Sequence, residues 1–132
     1  MQKIIENYID SINQKYPQYS ECTAHCFELI TELLTCDYSD FPSEKKSMRY
    51  VKNILKEVIT YAFINAGVKT YLKMIISIFY LPEVKSFFSA AKIDTNKLYN
   101  LVDCIESRII YWQGFEGSAP EKHLKHLLEP LD

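Results

Sequence analysis

The chain has 132 residues, 48% hydrophobic and 24% charged, with a formal net charge of −2. That length suits a single helical domain, residues 1–132, with a sizeable buried core, and three glycines with five prolines supply too few turn residues for an all-β fold. No run reaches the roughly 20 apolar residues of a membrane span, and the acids Glu6 and Asp10 exclude a secretory leader, so a cytoplasmic location with free thiols is expected.

Ile4, Ile5, Tyr8, Ile9 and Ile12 recur at three- and four-residue spacing and predict an amphipathic helix over residues 2–15. Pro17 ends it, because the residue before a proline is pushed out of the helical region. Ser20 is the expected N-cap of a second helix. Cys22, Cys26, Leu29, Ile30, Leu33 and Leu34 form its buried face, and Glu21, Glu28 and Glu32 point outward. Asp, Ser and Pro cluster between Cys36 and Ser47 and mark a loop. Ser43 or Ser47 then starts a long third helix, with Met48, Val51, Leu55, Val58, Ile59, Ala62 and Phe63 on its core face. Gly67 is placed to be its C′ residue.

The stretch Val68–Leu81, VKTYLKMIISIFYL, is apolar from Tyr71 onward except at Lys73 and Ser77. A helix greasy on nearly all sides must be covered on most of them, so this run is the expected central helix, wet only along Lys69, Lys73 and Ser77. Pro82 opens a short helix without losing a needed N–H. Asp94 caps a helix from Thr95 to Trp112, whose core positions are Leu98, Leu101, Val102, Ile105, Ile109 and Trp112. Gln113–Gly117 is the predicted turn, and Ser118-Ala-Pro-Glu121 fits a capping box before a last helix ending near Leu128. The fold class is therefore all-α, a single domain of six or seven helices around a hydrophobic central helix.

Among reactive groups, Cys22 sits one helical turn from both His25 and Cys26, and His123 or His126 would complete a tetrahedral zinc site. The same cluster would serve a thiol nucleophile. Cys22 and Cys26, however, continue the apolar stripe to Leu29 and Leu33, and adjacent positions 25 and 26 point about 100° apart on a helix. No hydrolase, metalloprotease or nucleotide-binding motif occurs. A core role for the cysteines is thus preferred, with no catalytic residue, metal or cofactor assigned. Trp112, beside Tyr111 and Phe115, reads as packing at a helix end before it reads as an interface anchor.

Charge is distributed unevenly. Residues 1–44 carry eight acids against two lysines, residues 45–97 carry ten bases against three acids, and residues 98–132 carry six acids against three bases. Helices of opposite charge could simply neutralise one another. The functional alternative is an acidic surface of Glu21, Glu28, Glu32, Asp37 and Asp40, with Tyr38 as an aromatic anchor, that meets a basic protein partner. This favours a small non-catalytic interaction protein of the inhibitor or immunity type, which neutralises a toxin or nuclease. The rival expectations are a metal or thiol protein using Cys22, His25 and Cys26, and a nucleic-acid binder using the Lys45–Lys56 face. With two arginines and a pI near 5.9, nucleic acid is the weaker partner.

Overall fold

Helix boundaries follow from identifiable side chains and prolines. The computed structural model describes residues 1–112 and 120–132, and among these it contains seven α-helices and no strand. They are α1 (Gln2–Lys15), α2 (Ser20–Thr35), α3 (Glu44–Asn65), α4 (Lys69–Ile76), α5 (Pro82–Ala90), α6 (Thr95–Tyr111) and α7 (Pro120–Leu128). Ser43 caps α3, its Oγ accepting the Lys46 N–H at 3.2 Å, and Asp94 caps α6, its Oδ1 accepting the Lys97 N–H at 3.0 Å. Gly67 takes a φ of 65° just past α3 and donates its N–H to the Ala62 carbonyl, which is where a left-handed residue closes a helix. Replacing Asp94 with alanine should cost about 1 kcal/mol, read as a lower denaturation midpoint with unchanged native helicity.

Ser20 is not the cap of α2. A 3-10 turn at Pro17–Tyr19 runs directly into the helix, so Ser20 already has helical angles and Tyr19 occupies the cap position without a side-chain bond. The Gln113–Gly117 turn and the Ser118 capping position lie outside the described residues.

The long α3 packs against α2, and α2 in turn packs against α1. A second group forms around α6, which receives α4, α5 and α7. One continuous hydrophobic core joins the two groups and draws on all seven helices. Within it, the Tyr71 and Thr23 hydroxyls share a hydrogen bond of 2.8 Å that ties α4 to α2. Both residues are fully buried, and each satisfies the other where water is absent.

The apolar run Val68–Leu81 is core, but it is less of a helix than its sequence suggests. After Ile76 the chain tightens into a 3-10 turn over Ser77–Tyr80. The cause is local: Leu81 adopts extended angles before Pro82, and the Ser77 hydroxyl donates back to the Lys73 carbonyl at 2.6 Å. Tyr71, Leu72, Ile75, Ile76, Ile78 and Phe79 are buried, whereas Lys69 and Lys73 are exposed and Ser77 is half-buried. The wet edge therefore falls where the spacing puts it. Among the described residues no helix is long and apolar enough to cross a membrane.

Candidate functional site: the groove between helices α2 and α3

Helical spacing brings Glu21, His25, Glu28 and Glu32 onto one stripe of α2, because steps of four, three and four residues return to the same face. The three acids are exposed and His25 is half-buried. His25 lies over the ring of Tyr61 on α3, with centroids 4.0 Å apart. That contact marks the edge of a groove of about 610 Å³ between the two helices. Leu29 and Tyr61 form its apolar surface together with Ile64, while Lys56, Glu57, Thr60 and Asn65 complete the wall. Ile64 is 69% exposed, a large aliphatic side chain held in water on the face of α3 opposite its core stripe.

No ion pair joins Glu21, Glu28 or Glu32 to a base of α3; the ion pairs among the described residues are Lys56 with Asp132 at 3.3 Å and Arg108 with Glu129 at 3.7 Å. The acidic stripe thus faces solvent without a direct ion pair, on a helix packed beside the lysine-rich α3.

Asp37 and Asp40 are exposed in the loop that follows α2. The Asp37 carboxylate accepts the Ser39 hydroxyl at 2.6 Å and the Ser39 N–H at 3.1 Å, and these bonds hold it below the usual carboxylate range. Asp37 borders a separate concavity with Phe41, Ser43, Phe87 and Lys92, so the loop acids do not line the groove.

Tyr38, expected as the aromatic anchor of the acidic surface, belongs to the core instead. It is 5% exposed, its ring meets Phe41, Tyr50, Phe87 and Phe88, and its hydroxyl donates to the Leu33 carbonyl at 2.6 Å. Asp37 initiates a turn that swings residue 38 inward, and a five-residue return from Leu33 satisfies the phenol there.

The Cys22–His25–Cys26 cluster divides across the helix. Both thiols face the core, and Cys26 donates to the Val58 carbonyl at 3.8 Å, while His25 turns to Tyr61. The contact between the two sulfurs splits them: it lowers the Cys22 thiol to about 7 and, together with burial, pushes the Cys26 thiol up. His123 and His126 are engaged elsewhere: the Trp112 Nε1–H donates to His123 Nδ1 at 3.0 Å, and Arg108 Nη1 lies 3.2 Å from His126 Nδ1. Among the described residues no three His, Cys, Asp or Glu side chains are placed to hold one metal ion. Trp112 itself is buried at 5% exposure against Phe63, in the packing role expected of it.

Leu29, expected on the core face of α2, is half-buried: it packs against the core and also borders the groove. The signal for the groove was present at Ile64, which falls off the apolar period of α3. Comparison with known proteins finds no family model, no curated sequence and no solved structure that matches this chain.

Proposed function

We propose that this chain is a non-catalytic protein-binding module of the inhibitor or immunity type, which captures a basic partner such as a toxin or nuclease on the α2–α3 groove. One observation carries the reading: an apolar groove with Leu29, Tyr61 and Ile64 runs beside an acidic stripe whose charges have no internal ion partner. An apolar centre supplies affinity once water is expelled from it. The acidic stripe along the α2 side supplies orientation and steers a partner of opposite sign. The occupant that fits both is a lysine- or arginine-bearing helix with one aliphatic or aromatic residue directed into the groove.

A photoreactive residue at position 64 should crosslink one partner in cells that express both proteins, and the purified pair then allows kinetics. Reversing Glu28 and Glu32 to lysine should slow association roughly tenfold at low salt with little change in dissociation, and the difference should shrink as salt screens the stripe. An unchanged association rate and salt dependence would remove the acidic stripe from the interface. Strong loss in Leu29→Asp with none in the charge reversal would leave the groove as the contact and discard the requirement for a basic partner.

A further inference from the structure

A second concavity, of about 400 Å³, lies on another face of α3, against the start of α6 and the end of the described chain. Lys45, Arg49 and Lys52 enter it from α3, and Lys97 enters it from α6. The buried Met48 and Leu131 side chains lie at its base. We infer that this is a binding site for a compact polyphosphate anion, whose contiguous phosphates are held by Lys45, Arg49, Lys52 and Lys97.

Three features support this. None of the four cations is in an ion pair among the described residues, and the one acidic residue in the wall, Asp132, has its side chain paired with Lys56 at 3.3 Å. Four like charges are therefore concentrated in one hollow of a protein whose net charge is −2, an arrangement that repels itself until an anion enters. The size fits a small ligand, since such pockets begin at roughly 300 Å³. The chemistry fits phosphate, because Arg49 offers a planar fork that can bind two phosphate oxygens while the lysines act as mobile point charges.

The extent of the charge selects a compact anion over a nucleic-acid strand. Lys45 and Lys52 are separated by about 10 Å along the helix axis. Beyond Lys52 the stripe reaches Lys56, already paired with Asp132, and before Lys45 stands the exposed Glu44. A short phosphate chain can remain between these limits, whereas a longer strand would run past them onto carboxylates.

The site can be titrated with sodium tripolyphosphate, ATP and a single-stranded RNA oligonucleotide at low salt, by calorimetry on the intact chain. Tripolyphosphate should bind at one site per chain and weaken roughly tenfold or more in an Arg49→Gln, Lys97→Gln double variant. It should bind unchanged to a Lys122→Gln, Lys125→Gln variant, which loses the same charge on α7. Equal affinity for ATP and tripolyphosphate would mean that the phosphate chain alone is recognised; tighter ATP binding would identify a nucleotide. All four substituted positions are exposed, and an unchanged thermal midpoint verifies that each variant is folded. No saturable binding at about 1 mM, equal weakening in both variants, or tighter binding of the RNA than of tripolyphosphate would overturn the assignment.

Discussion

Raising the pH above about 10 should unfold this protein cooperatively, with phenolate absorbance and loss of helical circular dichroism rising together. Burial holds six tyrosine hydroxyls above their ordinary range: Tyr8 and Tyr99 are pushed up to about 12, and Tyr38, Tyr50, Tyr71 and Tyr80 are also raised. The sign follows from proton uptake. Above about pH 10 an unfolded tyrosine is deprotonated while its folded counterpart keeps its proton, so stability is intact below that pH and falls as pH rises toward the folded value. For Tyr38 and Tyr71, which are 5% and 0% exposed, the loss is about 1.4 kcal/mol per pH unit each. Tyr8, Tyr80 and Tyr99 are half-buried and act in the same direction with solvent screening. By pH 12 the two fully buried tyrosines alone remove about 6 kcal/mol, a large part of a net stability of roughly 5–15 kcal/mol. Substituting Tyr38 and Tyr71 with phenylalanine should move the midpoint upward relative to the neutral-pH stability of the variant. Titration of all ten tyrosines near pH 10 with helicity retained would contradict the buried environment described for them.

Truncating Phe79 to alanine should destabilise the fold by about 3–5 kcal/mol, the largest single-residue loss expected here. Its ring is fully buried and stacks at 6.2 Å on Phe88 of α5, while its carbonyl accepts the Tyr99 hydroxyl at 2.6 Å. The variant leaves a cavity where α4, α5 and α6 meet, and the backbone bond to Tyr99 limits how far the turn can collapse into it. Urea denaturation should show a lower midpoint with an unchanged slope. The same truncation at Ile64, exposed on the groove, should stay within about 0.5 kcal/mol. A Phe79 loss as small as that would place this turn outside the core.

The fold was largely legible because its information is local. The three- and four-residue spacings of α1, α3 and α6, the Ser43 and Asp94 caps, Gly67 and Pro82 each act within a few residues of where they stand. What escaped was decided by tertiary context. Tyr38 could have faced either way until the Asp37 turn and the Phe87–Phe88 pair were in place. Ser20 lost its capping role to a preceding 3-10 turn. The α2 acids were correctly placed outward, yet the groove beside them depends on how α3 lies across Leu29, which no spacing within α2 reports. The basic hollow likewise needed α6, since Lys97 is 48 residues from Arg49 in the chain and only the packed fold makes them neighbours.

The eight residues of α4 are fewer than the roughly 12–15 that an isolated helix needs to hold its shape in water. Its helicity is consequently borrowed from the walls that enclose it, above all α6 and the Tyr71 anchorage on Thr23. Cut from the chain, the most conspicuous hydrophobic segment would be a poorly soluble coil. The segment that most announces itself in the sequence is thus the one least able to exist without the rest.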